Sequence, residues 1–172
     1  MYEPREDSYF LLENLKDYIK PGIKVLEIGA GSGIISQEAE KLGANVLAGD
    51  IDEKAIQLLK KKLNARQSDL FSNINKNEKF NLIIFNPPYL PEDKYDKEKD
   101  TTGGKKGYEL ALSFLKQAKN HLEKDGKILL ILSALSNIRE FIKKADKLNT
   151  KIKTIAEKAL FFEKLFLFEI SF

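Results

Sequence analysis

The tetrapeptide Asn86-Pro87-Pro88-Tyr89 follows an apolar run at residues 80–85 and carries residue types suited to one particular chemistry. A planar amide or aromatic amine nitrogen is a weak nucleophile, so a site must hold its two hydrogens while the lone pair faces an electrophile. The side-chain oxygen of Asn86 and the next backbone carbonyl, that of Pro87, can accept these hydrogens. Because each proline restrains the residue before it, the loop is stiff before a substrate arrives. A rigid turn without chemistry is the alternative for the tetrapeptide alone.

A glycine-rich turn precedes this loop in the chain. A short apolar strand at residues 25–28 runs into Gly29, Gly31 and Gly33, and a helical pattern follows. Glycines at such a turn let backbone N–H groups approach a ligand at a helix N-terminus. The spacing, with Glu27 two residues before the first glycine, is not the Gly-x-Gly-x-x-Gly of pyrophosphate-binding loops. It resembles the first motif of class I S-adenosylmethionine methyltransferases, which implies that the glycines admit the amino-acid end of that cofactor.

Two further segments offer polar groups that suit the same cofactor. The next apolar run ends at Asp50, which is placed to accept hydrogen bonds from both ribose hydroxyls. Helix capping is the alternative for Asp50 and the favoured interpretation of Asp52. After the next helix, Asp69 offers a carboxylate to an adenine amine, and Leu70 offers an apolar side chain to its ring. A surface turn is the alternative for Asp69.

A narrower resemblance covers nearly the whole chain. It rests on residues 2–8 (Tyr-Glu-Pro-Arg-Glu-Asp-Ser), the glycine motif, the tetrapeptide at residues 86–89, and residues 103–107 (Gly-Gly-Lys-Lys-Gly). Together these are similar to the HemK/PrmC-related protein-glutamine N5-methyltransferases, and most similar to their short archaeal and eukaryotic branch. The resemblance implies that the substrate is the glutamine of a Gly-Gly-Gln loop in a translation release factor.

The resemblance also implies roles for individual residues. Asn86 and Pro87 would hold the glutamine amide, and Tyr89 would pack against it. Glu6, Asp7 and Ser8 would lie over the methionine end of the cofactor. Helix capping is the alternative for Asp7 and Ser8, because an apolar-patterned helix follows them.

Other activities compete with this interpretation. The alternative is methylation of a base amine in RNA or DNA, at adenine N6 or guanine N2, because the tetrapeptide is shared with adenine-N6 methyltransferases. Such an enzyme would need a basic stripe beside Tyr89, and the lysines of residues 94–106 are nearly cancelled by acids. A cofactor-binding subunit without activity is a third hypothesis, which the intact tetrapeptide disfavours.

Composition excludes several classes of site. The chain has no Cys and a single His, which excludes a disulfide framework, a Cys-ligated zinc site and a His cluster, so no metal site is expected. The single His, His121, is interpreted as solvated or paired with a helix dipole. The net charge of +3 is modest. We expect a cytoplasmic protein without a membrane segment, since neither a signal peptide nor a long uncharged apolar run is present.

Alternating strand and helix patterns predict an α/β fold. We expect one Rossmann-like methyltransferase domain over residues 1–172, with a mostly parallel, doubly wound sheet and a C-terminal antiparallel hairpin. Residues 161–168 are interpreted as strand and core, and residues 90–106 as a mobile lid. Strands are predicted near residues 24–28, 45–50, 82–85, 127–132, 151–156 and 165–172, with helices that include residues 53–63 and 136–148.

The resemblance raises the question of an activator subunit. Members of the short branch often pair with a small zinc-binding protein that adds a strand to the third, edge strand of the sheet. Here residues 65–68 alone separate Asn64 from Asp69, and they are too few and too polar to form a long apolar edge. We therefore expect activity without an activator.

Overall fold

The computed structural model describes residues 4–90 and 103–172, which form one sheet with helices on both faces. The helices are α1 (Glu6–Leu15), α2 (Ile34–Lys41), α3 (Glu53–Leu59), α4 (Glu109–Ala118) and α5 (Ile138–Asp146). The strands are β1 (Lys24–Ile28), β2 (Asn45–Asp50), β3 (Ala65–Gln67), β4 (Phe80–Phe85), β5 (Leu122–Ser133), β6 (Lys151–Ala159) and β7 (Lys164–Ser171).

The strand order is β3-β2-β1-β4-β5-β7-β6. The first five strands pair in parallel, and β7 pairs antiparallel with both β5 and β6. This confirms the predicted α/β fold with its antiparallel C-terminal hairpin. The chain builds outward from β1 to β3 and then returns to β4, so the order reverses between β1 and β4. In open sheets of this kind, ligands bind where the order reverses, at the carboxyl ends of the strands.

The central strands are buried on both faces. Residues 82–85 of β4 are buried in succession, which is typical of a parallel strand covered on each side. Leu82 and Ile84 pack on the side of α1 and α2, whereas Ile83 and Phe85 pack on the side of α4 and α5. The core therefore has two layers separated by the sheet, and α1 is held against one of them.

Parts of two predicted features lie outside the described residues. Residues 91–102 include most of the predicted lid, and residues 1–3 include the start of the opening motif. Within the part of the chain that the structure describes, no helix has the length and apolar character needed to cross a membrane.

Two helices are shorter than predicted. α3 ends at Leu59 instead of Leu63, because residues 60–63 turn directly into β3. α5 begins at Ile138 instead of Ser136, because Asn137 has a left-handed φ of 47° and a separate short turn occupies residues 134–136. Ile142, which the helical pattern places inward, is 41% exposed.

The strands also differ from prediction at their ends. β4 begins at Phe80, and β5 begins at Leu122, because these two residues pair at the start of the β4–β5 ladder. The expectation that Phe161 and Phe162 lie in the core is wrong. They form the turn of the β6–β7 hairpin and are 92% and 87% exposed, with ring centroids 4.5 Å apart.

His121 is buried, so the interpretation as a solvated side chain is wrong. Its ring stacks on Phe71 with centroids 4.9 Å apart, and Nδ1 lies 3.0 Å from the carbonyl oxygen of Glu78. The residue is 6% exposed and belongs to the packing between α4 and the segment that precedes β4.

Candidate active site

A cleft of about 900 Å³ lies at the carboxyl ends of β1, β2 and β4. In the sheet register, Ile28 is beside both Gly49 and Phe85, so the residues that follow these three strand positions meet at one edge. The predicted site residues on its wall are Asp7, Ser8, Glu27, Gly29, Gly31, Asp50, Asp69, Leu70, Asn86, Pro87 and Tyr89.

Gly33, also predicted to contact the cofactor, is the exception among these residues. It does not line the cleft but forms the N-cap of α2, with a left-handed φ of 76°. A Cβ at this position would lie 2.3 Å from Leu59 Cδ2 and 3.1 Å from Leu63 Cδ1. The left-handed φ favours glycine at this position, and any side chain would displace the ends of Leu59 and Leu63, which pack against the start of α2.

Asp50 joins the end of β2 to the glycine turn. Its Oδ2 accepts a hydrogen bond of 2.7 Å from the backbone N–H of Gly31, and its Oδ1 accepts one of 2.8 Å from Asp52 N–H. The N-cap of α3 is Asp52, as expected, since its side chain accepts from Lys54 N–H at 2.8 Å. Asp50 is thus not the helix cap. Its carboxylate instead binds the backbone of the glycine turn and that of the residues between β2 and α3, which both line the cleft.

Glu27 lies beneath the glycine turn and is 5% exposed. Its Oε2 accepts hydrogen bonds from the hydroxyl of Ser36 and, at 2.9 Å, from the backbone N–H of Ser36. Burial raises the pKa of Glu27 from 4.5 to about 8; the two bonds from Ser36 oppose this rise, and the negative charge of Asp50 adds to it. Glu27 therefore anchors the first turn of α2 to β1 and also reaches the cleft.

The loop after β4 is held to its neighbours through its backbone. The carbonyl oxygen of Tyr89 accepts a hydrogen bond of 2.6 Å from the Ser136 hydroxyl, and that of Leu90 accepts one of 2.8 Å from Gly103 N–H. A Cβ at Gly103 would lie 2.6 Å from the carbonyl oxygen of Pro88, so a glycine is required there. The glycine-rich segment at residues 103–107 thus packs against the backbone of the loop after β4. Nothing in the local sequence pattern marked Ser136 for its role.

Asn86 is bound through its side chain to the start of α1. Its Nδ2 donates a hydrogen bond of 2.9 Å to Asp7 Oδ2, while Asp7 Oδ1 accepts one of 2.7 Å from Ser8 N–H. The N-cap of α1 is Arg5, so the capping alternative for Asp7 and Ser8 is wrong. Asn86 Oδ1 is buried and has no hydrogen-bond partner among residues 4–90 and 103–172.

The segment after β3 combines a turn with a cleft wall. The Ser68 hydroxyl donates to the carbonyl oxygen of Leu70 at 2.8 Å and accepts from Asn73 N–H at 3.0 Å. Leu70 has a left-handed φ of 47°, which is uncommon for a side chain of its size. Asp69 is exposed, so it belongs both to a surface turn and to the cleft.

Several cleft residues were not predicted. Ile51 is 64% exposed on the cleft, and its place directly after Asp50 is a signal that could have identified it. Leu160 and Glu163 reach the cleft from the β6–β7 turn, far along the chain from the other walls, and no local pattern indicates this. Phe85 and Leu110 also line the cleft.

Comparison with known proteins places this fold and site in a class. Residues 5–161 match the model of the family described as methyltransferase small domain. The chain belongs to this family. A protein of Methanocaldococcus jannaschii, provisionally named protein N5-glutamine methyltransferase, is 39% identical over 178 residues, which cover 96% of the present chain and 88% of that protein. The resemblance to the HemK/PrmC-related enzymes is thereby confirmed.

One further relative is similar in sequence, and one solved structure is similar in fold. The release factor glutamine methyltransferase of Fusobacterium nucleatum is 37% identical over 107 residues, or 54% of the present chain and 30% of that protein. The present chain therefore spans less than a third of that relative. The structure of the E. cuniculi Mtq2-Trm112 complex, responsible for methylation of the eRF1 translation termination factor, shares the fold with a TM-score of 0.83. Its identity is 22%, and the match covers 98% of the present chain and 96% of the other.

Proposed function

We propose that this chain methylates the side-chain amide of the glutamine in the Gly-Gly-Gln loop of a translation release factor, with S-adenosylmethionine as the methyl donor. The observation that carries the proposal is the buried Asn86 Oδ1, which lacks a hydrogen-bond partner among the described residues. Leaving such an acceptor unpaired costs about 1–3 kcal/mol. A donor from a bound ligand is therefore expected there, and a primary amide supplies one.

The names of the relatives support the choice of substrate. The M. jannaschii relative is provisionally named for glutamine N5-methylation, the F. nucleatum relative for release factors, and the E. cuniculi complex for eRF1. The 172 residues would act as one methyltransferase domain, in the cytoplasm, where translation factors work.

The cleft suits S-adenosylmethionine by its chemistry. Each oxygen of the Asp50 carboxylate accepts one backbone hydrogen bond and keeps the capacity for a second, which ribose hydroxyls could donate. Ile51 and Leu70 offer apolar surface to the adenine ring, and Asp69 offers an acceptor to its amine. Asp7 places a carboxylate near a ligand that carries positive charge. A volume of about 900 Å³ leaves room for both cofactor and substrate side chain.

The residues of the loop after β4 would orient the reacting amide. Asn86 Oδ1 accepts one hydrogen of the glutamine amide, the Pro87 carbonyl accepts the other, and Tyr89 packs against the side chain. When bound, S-adenosylmethionine supplies a methyl group on a positively charged sulfur. Asn86 and Pro87 would hold the amide nitrogen with its lone pair toward that methyl group, and the nitrogen would release one proton to water on transfer. Such a reaction depends on positioning and requires no general base of neutral pKa.

A labelling experiment tests the proposal. The protein is incubated with methyl-labelled S-adenosylmethionine and the purified release-factor domain that carries the Gly-Gly-Gln loop, and separately with cellular RNA. We expect label in the protein substrate, and its loss when the loop glutamine is changed to alanine. Label in RNA without label in the release factor would contradict the proposal and favour a base amine methyltransferase.

A further inference from the structure

We infer that Asp7 is a positioning residue that holds the side-chain amide of Asn86 in the one orientation able to accept a hydrogen bond from the substrate. The inference rests on the proposed function and assigns to Asp7 a role other than contact with the cofactor. The two residues are 79 positions apart and are joined by the 2.9 Å hydrogen bond from Asn86 Nδ2 to Asp7 Oδ2.

An asparagine side chain can present either of two ends. Its carbonyl oxygen accepts hydrogen bonds and its NH2 group donates them, and the two ends have almost the same shape. An Asn86 turned by 180° would offer donors to an amide that needs an acceptor, and would therefore block the reaction. Because an ionised carboxylate accepts only, Asp7 binds the NH2 end of Asn86. Oδ1 is then left as the buried atom without a partner among the described residues.

Asp7 is itself fixed in place. It is 4% exposed, and its second oxygen accepts the backbone hydrogen bond of 2.7 Å from Ser8. Asp7 lies in the first turn of α1, and the next turns of that helix place Phe10 and Leu11 in the core, at 3% and 0% exposure. The orientation of Asn86 is therefore set by a helix packed on the sheet and not by the loop alone.

The charge of Asp7 also acts through Asn86. A hydrogen bond to an ionised acceptor is stronger than a neutral one, and it polarises the amide that donates it. Oδ1 of Asn86 thereby becomes a better acceptor. During methyl transfer the substrate nitrogen gains positive charge and its N–H becomes more acidic, so this effect grows toward the transition state.

An exchange of the two side chains tests the role directly. Single-turnover rates are measured for Asp7→Asn, for Asn86→Asp and for the double variant, with labelled S-adenosylmethionine and the release-factor domain. Asp7→Asn should be about tenfold slower at saturating cofactor, because a charged hydrogen bond becomes neutral and Asn86 can turn. Asn86→Asp should be more than about a hundredfold slower near neutral pH, because two carboxylates then face each other.

The double variant restores a donor and an acceptor in reversed positions. The new amide at position 7 donates to the carboxylate at position 86, whose other oxygen remains available to the substrate. We expect the double variant to be at least about tenfold faster than Asn86→Asp. The rate of Asn86→Asp alone should rise as the pH falls, because one shared proton replaces the missing donor. The double variant keeps the other acidic groups of the cleft, Glu27, Asp50 and Asp69, so a pH dependence shared by both variants does not come from the pair at positions 7 and 86.

A matched control is Glu13→Gln, the same acid-to-amide change on α1. The Glu13 side chain is 62% exposed and pairs with Lys158, so parent-like rates are expected. The inference is overturned if the double variant is no faster than Asn86→Asp while both bind cofactor and unfold like the parent. It is also overturned if lowering the pH does not accelerate Asn86→Asp relative to the double variant.

A second measurement needs no substrate. A double-mutant cycle on chemical unfolding, with Asp7→Ala and Asn86→Ala, should show a coupling of about tenfold or more in the unfolding constant. Asp7→Asn replaces Asp7→Ala if the alanine variant does not fold. A coupling below about twofold would overturn the pairing. If the parent labels no release factor, the proposed function fails, and this cycle still decides the inference about Asp7.

Discussion

The backbone N–H of Gly31 donates a hydrogen bond of 2.7 Å to Oδ2 of Asp50, which ties the turn after β1 to the end of β2. The other oxygen of the same carboxylate accepts from Asp52 N–H at 2.8 Å. Asp50 therefore shapes the cleft before any ligand binds, and its replacement should affect the backbone as well as the proposed ribose contacts.

Asp50→Ala should weaken cofactor binding about ten- to hundredfold, because hydrogen bonds to charged groups contribute roughly 1.5–3 kcal/mol. It should also lower the unfolding temperature, since Gly31 and Asp52 lose an acceptor. Asp50→Asn keeps one acceptor oxygen and should fall between Asp50→Ala and the parent in both respects. Calorimetry and thermal unfolding measure the two effects. Unchanged cofactor affinity in Asp50→Ala would remove this residue from the site.

Asn86→Ala should leave cofactor affinity unchanged and slow methyl transfer about a hundred- to a thousandfold. The lost acceptor is a preorganised group that stabilises the reacting amide, and removing one such group typically has an effect of this size. Single-turnover kinetics with the release-factor domain measure it. Asn120→Ala is a suitable control, because Asn120 is exposed and lies just before β5. It therefore lies near the amino-terminal end of that strand, whereas the cleft lies at the carboxyl ends of the strands. Equal rates for Asn86→Ala and the control would refute the amide-holding role.

Leu70 stores backbone strain at the cleft, with its left-handed φ of 47°. Leu70→Gly and Leu70→Ala both remove the apolar surface offered to adenine, so both should weaken cofactor binding. Leu70→Gly alone relieves the strain, and it should be more stable than Leu70→Ala by about 1 kcal/mol. Urea unfolding of the two variants gives this difference. Equal stability would show that the conformation at residue 70 carries no strain.

Glu27 should make stability depend on pH. Its pKa is raised by burial from 4.5 to about 8, so the folded protein binds a proton more tightly than the unfolded chain does. Below pH 4.5 this group has no effect, and between pH 4.5 and about 8 it increasingly destabilises the fold.

The comparison variant is Glu27→Gln, which cannot ionise but keeps an acceptor for Ser36. The free energy of unfolding of the parent should fall relative to that of Glu27→Gln as the pH rises from 5 to 8. The change should be on the order of a few kcal/mol, since one pKa unit corresponds to about 1.4 kcal/mol. Denaturant curves at several pH values measure it, and parallel pH profiles for the two proteins would be the contrary result.

The edge strand β3 determines whether an activator subunit could add a strand to the sheet. It is three residues long, and Arg66 at its centre bonds to Glu78 at 2.7 Å and to the carbonyl oxygen of Asn73 at 3.1 Å. A short strand with a charged residue discourages the addition of a partner strand. We expect the isolated chain to be monodisperse and to bind cofactor unaided, as light scattering and calorimetry would show. The prediction would be refuted if the isolated chain aggregated and if co-expression with a small zinc-binding protein kept it in solution.

Much of the cleft could be predicted from the sequence because it follows from local pattern and sheet topology. Gly29, Asp50 and Asn86 each lie at or just beyond the end of an apolar strand. Parallel strands bring their carboxyl ends to the same edge, so residues distant in sequence meet there without any knowledge of side-chain packing. The alternation of strands and helices likewise predicted the α/β architecture, since buried strands and amphipathic helices differ in period.

Other features were decided by contacts between segments far apart in the chain. Gly33 belongs to the same glycine motif as Gly29, and only the tertiary structure shows that Leu59 and Leu63 pack against Gly33 while Gly29 lines the cleft. Phe161 and Phe162 have the composition of a core strand, but the pairing register of β6 and β7 puts them at the turn. The bond from Asn86 to Asp7 depends on how α1 docks against the sheet. Sequence patterns report local periodicity, whereas the partner of a polar side chain is determined by which surfaces pack together.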